Sequence, residues 1–307
     1  MENNIILSDK AATEAYFATL AAHRPLSRTI AGELAQMSES GAADLLLCGR
    51  YGIGTNPIEL IQRSGVLRAR GVKWCGSRYC PRCQLRMMAA LQSKRAKRAR
   101  AAEAAGLGVA FVQFGQPVGS VGELKVLLDK QQADWKASFP PPSRLPVKWE
   151  GAGLEDWLGL DYNIEIDWDA EAEHWHVHAH ALAFRRSPWC ADSLAFLRAC
   201  WPHAEPLAWA EVAAAPEAAA RYSVKAENSK YYLLNLFDLA QLGMITQVGE
   251  YLHAVQRRRL RSPSLTVSRA LGLPTAAENE EALMEWLESA PGDMIEQLTI
   301  QDWRSKW

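Results

Sequence analysis

No stretch of this chain is both long and apolar enough to cross a bilayer. Its opening residues, MENNIILSDKAATEAY, lack the basic flank and extended apolar core of a signal peptide. The protein is therefore expected in the cytoplasm, with no membrane partner. Cysteine is too sparse and too unevenly placed for a disulfide framework: of six in 307 residues, three crowd at positions 75, 80 and 83. That distribution suits a reducing compartment and metal binding. Cys190 and Cys200, standing apart, read as ordinary buried thiols. Net charge is nearly absent as well, at −1, but it is a sum of opposites. From Arg68 to Arg100 no acid interrupts Arg68, Arg70, Lys73, Arg78, Arg82, Arg86, Lys94, Arg95, Lys97, Arg98 and Arg100. Arg257, Arg258, Arg259 and Arg261 form a second basic block, and beyond Thr275 acids dominate. A run of one sign in a neutral chain implies a polyanionic partner, and without a strongly apolar face beside it nucleic acid fits better than membrane.

What is present is histidine at strand period. In HWHVHAHALAF, His174, His176, His178 and His180 occupy every second position. An extended strand points all four to one face and Trp175, Val177, Ala179 and Ala181 to the other. Four imidazoles are costly on a buried face unless each finds a partner, so the row reads as metal ligands. The preceding DYNIEIDW also alternates, with Tyr162, Ile164, Ile166 and Trp168 opposed to Asp161, Asn163, Glu165 and Asp167. With DAEAE as the connection, the two segments should form an antiparallel hairpin. Of its two registers, only one gathers the apolar residues on a single side, and it places the carboxylates with the histidines. Glu165 could then reach a metal held by the imidazoles, with Asp167 as a substitute.

Elsewhere, residues 10–40 read as short helices around Arg24-Pro25, and helix formers run from Gln84 to a stop at Gly106. GVAFVQFG at 108–115 reads as a strand, Val121 to Ser138 as a helix, and FPPPSRLP as an irregular loop. Ala215-Pro216-Glu217 starts a helix carrying Arg221, Tyr222 and Lys225, with Tyr222 and Lys225 on the face of Ala218. Long helices are expected through YYLLNLFDLAQLGMITQVGEYLHAVQRRRL, and another around MEWLE in the acidic tail. The chain's length and its 49% hydrophobic, 22% charged composition suit about two globular domains.

WCGSRYCPRCQ holds Cys75, Cys80 and Cys83 in a C-x4-C-x2-C arrangement, and its Cys-Pro-x-Cys turn brings two thiolates onto one ion. Tetrahedral zinc takes four ligands, and Cys48, in LLLCGRYG, is the best fourth, read as a strand ending in a turn. Arg78, Arg82 and Arg86 between and beyond the cysteines favour a structural zinc module presented to phosphates, over a redox motif.

CGSRYCPRCQ, then WHVHAHAL, then RYSVK some forty residues later, resemble in that order the motifs of plasmid replication initiators. These are HUH endonucleases that drive rolling-circle replication. The resemblance spans about residues 45–235. It implies that His178 and His180 are the metal-binding pair, with His176 matching a further family histidine, and that Tyr222 is the nucleophile with Lys225 its companion; Tyr231 and Tyr232 are rival tyrosines, though the LLNLF that follows them suggests core. A tyrosine suits the chemistry because an aryl phosphate remains transferable. The implied activity is site-specific nicking of one origin strand, leaving a 5′-phosphotyrosine and a free 3′-hydroxyl primer, with rejoining at termination. It calls for Mg²⁺ or Mn²⁺ at the histidines and Zn²⁺ at the cysteines. The implied partners are plasmid origin DNA, single-stranded or hairpin, and the host helicase and replication machinery.

The expected fold is α+β: a central antiparallel sheet carrying the histidines, flanked by helices, with an amino-terminal zinc module. The expected divisions are a helical segment 1–47, the zinc module and basic helix 48–105, a catalytic domain 106–235, and a helical region with acidic tail 236–307. Lys94, Arg95, Lys97 and Arg98, with Arg78, Arg82 and Arg86, form the expected DNA-binding set.

The chain departs from the family pattern in two places. The glutamate often found four residues before the tyrosine is Ala218 here, leaving Glu217 or Glu227 as substitutes, and the threonine-rich early strand of relatives reads VAFVQF, to which no catalytic role is assigned. Competing readings are a relaxase or transposase of the same chemistry, a zinc-dependent DNA-binding regulator without catalysis, and a metal-dependent small-molecule hydrolase. Relaxases usually place their tyrosine before the histidines, where only Tyr16 is available. The basic stretch argues against the hydrolase, which has no use for a phosphate-tracking surface.

Overall fold

The computed structural model describes residues 5–6, 18, 21–37, 42–49, 58–63, 66–70, 72–139, 154–204, 206–223, 233–256, 258, 260–262 and 265–272. They fall into two compact units: the described residues of Met1–Ala90 and Phe237–Gly249, and those of Leu91–Leu236 and Glu250–Glu280. Among the described residues no helix is long and apolar enough to cross a membrane.

In the first unit β1 (Ile5–Ile6) pairs in parallel with β2 (Ile58–Arg63), which pairs antiparallel with β3 (Val66–Arg70). α1 (Arg24–Gln36) begins at the Arg24-Pro25 step, where proline costs no helical hydrogen bond, and buries Leu26, Ile30 and Leu34. α2 (Ala42–Leu47) leads into Cys48, so that cysteine follows a helix and not the strand expected from LLLCGRYG. The expected turn is there: Gly49 adopts φ 75° and its N–H donates to the Lys73 carbonyl at 3.1 Å. α3 (Pro81–Ala104) starts on the proline of the Cys-Pro-x-Cys turn, three residues earlier than the run of helix formers implies.

The second unit is built on an antiparallel sheet of strands β4 (Gly108–Gly115), β5 (Trp157–Asp169), β6 (His174–Arg185), β7 (Ala208–Val212) and β8 (Leu233–Leu234), in the order β7-β4-β6-β5-β8. The short β9 (Arg261–Ser262) also pairs with β5. Helices α4 (Leu124–Ser138), α5 (Ala191–Ala199), α6 (Pro216–Tyr222) and α9 (Leu265–Ala270) lie in the same unit. The α+β class and the helix-flanked antiparallel sheet are thus as expected. Where long helices are expected through residues 231–260, the described residues form β8 and two shorter helices, α7 (Leu236–Gln241) and α8 (Ile245–Val255). Gly243 divides them at φ 70°, its N–H bonded to the Ala240 carbonyl and that of Met244 to Leu239, which closes α7 in a glycine-type stop.

The β5–β6 hairpin adopts the register that segregates apolar from polar. Ile164 opposes Ala179, Ile166 opposes Val177 and Trp168 opposes Trp175; on the other face Glu165 opposes His178, Asp167 opposes His176 and Asn163 opposes His180. The histidine face continues along β6 into Leu182 and Phe184. Together with Val109, Phe111 and Leu158 these pack on Ala99 and Ala102 of α3, Ala220 of α6 and Val267 of α9. The reverse face buries Phe114 against Trp135, Phe139 and Trp201, with ring centroids 4.8–6.2 Å apart. One sheet face is therefore polar at the hairpin end and apolar at the other, and helices cover its apolar half.

Candidate active site

Strand alternation and hairpin register bring three side chains together without any long-range loop. His178 Nε2 lies 3.3 Å from Glu165 Oε2, and His180 Nδ1 lies 3.2 Å from Glu165 Oε1. The three offer one ligand atom each within a span that one ion could share. Burial pushes the Glu165 carboxyl up, but hydrogen bonds and charge from His178 and His180 outweigh it and hold the group well below the usual carboxylate range. Asn163, one position along the same face, donates from Nδ2 to Glu165 Oε1 at 3.3 Å, and Arg261 Nε donates to Asn163 Oδ1 at 2.9 Å. A hydrogen-bonded chain from β9 through β5 thus fixes the carboxylate's orientation.

Gln113 and Phe111 of β4 complete the site, although VAFVQF was assigned no role from sequence. Gln113 opposes His180 in register, and its Oε1 lies 3.0 Å from His180 Nε2. In a neutral His180 whose Nε2 proton goes to this amide oxygen, Nδ1 carries the lone pair and faces the Glu165 carboxylate, whereas a doubly protonated ring donates to both. Two electron-rich atoms at 3.2 Å call for a proton or a cation between them, so the donor set of Glu165, His178 and His180 fits a divalent ion. Gln113 is the one polar residue in GVAFVQFG, and that was its only signal in the sequence.

Tyr222 ends α6, the helix that starts at Pro216 as expected. Its ring centroid lies 5.6 Å from that of His180 and 5.5 Å from that of Phe111, and Phe111 lies 5.5 Å from His180. These three rings form a triangle that sets the tyrosine beside the carboxylate-linked histidines. Tyr222 is 48% exposed, so it is accessible from solvent. Both ends of α6 are held by α3. Arg100 contacts both Glu217 carboxylate oxygens at 3.0 Å, and Arg95 donates to the Ser223 carbonyl at 3.0 Å and to its Oγ at 2.8 Å. Glu217, a candidate for the termination role, is thereby engaged at the start of the helix. Lys225, Glu227, Tyr231 and Tyr232 lie outside the described residues.

The basic helix divides into two sets. Arg95 is 2% exposed and lies on the face of Ala99 and Ala102; burial lowers its guanidinium to about 10 against the pull of Asp161. Arg98 pairs with the buried Asp161 and donates to Ser268 Oγ at 3.0 Å. These two arginines hold the fold together from inside, which corrects the expectation that they face phosphates. Lys97 is exposed and Lys94 half-buried. In the first unit the half-buried Arg86 lies over the Trp74 ring at 4.4 Å, Arg82 over the same ring at 6.0 Å, and Arg78 over Tyr79 at 5.1 Å.

His176 does not join Glu165. It lies with His174 and Asp169 in a separate group nearer the hairpin turn, while Asp167, opposite His176 in register, stands outside both groups. The four expected cysteines do converge: Cys48 Sγ is 3.5 Å and Cys75 Sγ 3.6 Å from Cys83 Sγ, with Cys80 in the same group. A disulfide needs about 2.05 Å. Four sulfurs at about 2.3 Å from one tetrahedral ion lie about 3.8 Å apart, close to the spacing seen here. Hydrogen bonds from Cys75, Cys80 and Cys83 push the Cys48 thiol down, while Cys48 and Cys75 push Cys80 and Cys83 up, so the four could ionise together only around a cation. Cys190 is exposed, which corrects its reading as a buried thiol, and Cys200 is half-buried. Comparison with family models, with curated proteins and with solved structures found no match to this chain.

Proposed function

We propose that this protein is a metal-dependent DNA nicking and joining enzyme that initiates rolling-circle replication of a plasmid, with Tyr222 as its nucleophile. The observation that carries the reading is the placement of the Tyr222 ring 5.6 Å from His180, whose Nδ1 faces Glu165 at 3.2 Å. A packing tyrosine has no need of such a neighbour, and a zinc-dependent regulator has no need of an exposed phenol beside a second ligand set. The order of the cysteine, histidine and tyrosine motifs supports an initiator over a relaxase.

A divalent ion such as Mg²⁺ or Mn²⁺ held by Glu165, His178 and His180 would polarise the scissile phosphate and absorb charge in the transition state. Gln113 and Asn163 orient His180 and Glu165 for that task. The Tyr222 phenol loses its proton and its oxygen attacks phosphorus. The Tyr222 Oη–P bond forms as the P–O3′ bond breaks, and the 3′ oxygen takes up a proton. The products are a 5′-phosphotyrosine and a 3′-hydroxyl that primes synthesis; the reverse attack rejoins strands. Lys225 would favour the phenolate and neutralise a non-bridging oxygen. The cysteine group would hold Zn²⁺ and give the first unit a metal-dependent fold. The partners in this reading are origin DNA, as a single strand or hairpin, and the host helicase and replication machinery.

The test is incubation of the full chain with single-stranded DNA carrying the plasmid origin and Mn²⁺, followed by denaturing electrophoresis. A covalent adduct that disappears in Tyr222→Phe is expected. An adduct of equal yield in Tyr222→Phe would remove this residue as nucleophile, and no adduct on any origin strand would favour the regulator.

A further inference from the structure

The polar half of the histidine face holds a second set of ligands that the nicking reaction leaves unused. Asp169, His174 and His176 bring one carboxylate oxygen and two ring nitrogens within a span that one ion could share. His174 Nε2 and His176 Nε2 are 2.9 Å apart, and His176 Nε2 is 3.7 Å from Asp169 Oδ2. Two imidazole nitrogens directed at each other at this distance can share at most one proton when both rings are neutral. Two nitrogens each about 2.05 Å from one ion and about 90° apart also lie about 2.9 Å from each other. That is the angle of adjacent ligands in an octahedral or square-planar complex, and imidazole is a favoured ligand of Ni²⁺, Cu²⁺ and Zn²⁺.

The turn prepares the carboxylate. Asp169 Oδ1 accepts the backbone N–H groups of Glu171 and Ala172, both at 2.9 Å, while Oδ2 is the oxygen nearest His176. Glu173, at φ 53°, closes the turn that sets His174 opposite Asp169. All three ligands thus belong to one hairpin and none waits on a distant segment. The His176 side chain is 34% exposed, which leaves room for water in the remaining coordination positions.

The geometry points to a second transition-metal site, made by Asp169, His174 and His176, that takes a borderline divalent ion of the Ni²⁺ and Cu²⁺ class and fastens the tip of the β5–β6 hairpin. It is not half of a two-metal nuclease centre. The midpoints of the two ligand sets are four residues apart along β6, about 13 Å at strand rise, whereas two ions acting on one phosphate sit about 3.5–4 Å apart. The site therefore works on the hairpin, independently of Tyr222 chemistry.

Ni²⁺ titration of the full zinc-loaded chain by calorimetry, with hydrogen exchange of residues 169–176, tests the site. Wild type should bind about two Ni²⁺, one at each set of histidines. His174→Ala should lose the hairpin-tip ion and keep the other, and His178→Ala should do the reverse; the retained ion reports that each variant is folded. Ni²⁺ should slow exchange at the tip in wild type and in His178→Ala, and leave it unchanged in His174→Ala. Equal Ni²⁺ stoichiometry in wild type and His174→Ala, or loss of all binding in His178→Ala with its fold intact, would overturn the assignment.

Discussion

Two pairs of substitutions in α3 separate a charge proposed to meet DNA from a charge that holds the fold. Lys94→Gln with Lys97→Gln removes side chains outside the buried face, and glutamine keeps the helix propensity. Each phosphate contact on duplex DNA contributes about 0.9 to the log-log salt slope, so losing two should flatten it by about 1.8. Stability should shift by no more than about 0.5 kcal/mol, as for most surface changes. Arg95→Gln with Arg98→Gln is a different experiment. Arg95 makes two buried hydrogen bonds to Ser223, each on the order of 1.5–3 kcal/mol for a charged donor. Arg98 is paired with Asp161, whose side chain is fully buried; removing one partner of such a pair costs about 3–5 kcal/mol. The terms are not additive in neighbours, but either alone is a large part of the roughly 5–15 kcal/mol that holds a domain.

Fluorescence anisotropy with labelled origin duplex across a salt series reads the slope, and urea denaturation followed by tryptophan fluorescence reads stability. The lysine pair should move only the first, and the arginine pair should move the second sharply. An arginine variant as stable as wild type with a flattened slope would refute the structural role given to Arg95 and Arg98. An unchanged slope in the lysine variant would remove this helix from the DNA path and direct attention to Arg257, Arg258, Arg259 and Arg261.

Gln113→Leu removes the amide oxygen 3.0 Å from His180 Nε2, so it should weaken Mn²⁺ binding and adduct formation by about 10–100-fold, the usual effect of losing a group behind a ligand; unchanged Mn²⁺ affinity by calorimetry would show that Gln113 does not orient the histidine. Cys80→Ser should release zinc, measured by elemental analysis, and destabilise the first unit in thermal unfolding; full zinc retention would exclude Cys80 as a ligand. Arg100→Ala breaks a half-exposed pair and should cost at most about 1 kcal/mol, so a collapse of the fold in urea would show that this contact has been undervalued.

The readings that held are those whose cause is local. Period-two alternation alone placed His178, His180 and Glu165 on one face, and the partition of Ile164, Ile166 and Trp168 from the acids fixed the register. The Cys-Pro-x-Cys turn fixed two thiols, and Cys48 was found because tetrahedral zinc needs a fourth, though its local element was misjudged. What stayed hidden depends on pairing between distant segments. Nothing in GVAFVQFG says that Gln113 will oppose His180, because that is decided when β4 docks on β6. Arg95 and Arg98 were read by sign, and sign does not distinguish a charge facing solvent from one facing a buried acid. The clue was spacing: Arg95, Ala99 and Ala102 recur at i, i+4 and i+7, the interval of one helix face, and the buried carboxylate of Asp161, inside β5, takes Arg98 as its cation.

That inward arginine face changes what the basic helix would contribute to the proposed reaction. α6 has seven residues, too few to be stable in water by itself, since helix nucleation costs more than so short a segment recovers. Its position must come from packing, and the contacts are asymmetric. At its start Arg100 holds Glu217 in an exposed, weak pair; at its end Arg95 holds Ser223, next to Tyr222, in a buried and strong one. Arg95 also meets the end of the helix where the carbonyls point outward, the end a cation stabilises. Phe111 packs against both the Tyr222 ring and His180, so the tyrosine is located by one guanidinium at the helix end and one aromatic side chain beside its ring. In the proposed reaction the tyrosine would thus be set beside His180 before substrate arrives, and the cost of ordering it would be met on folding and not during the chemistry.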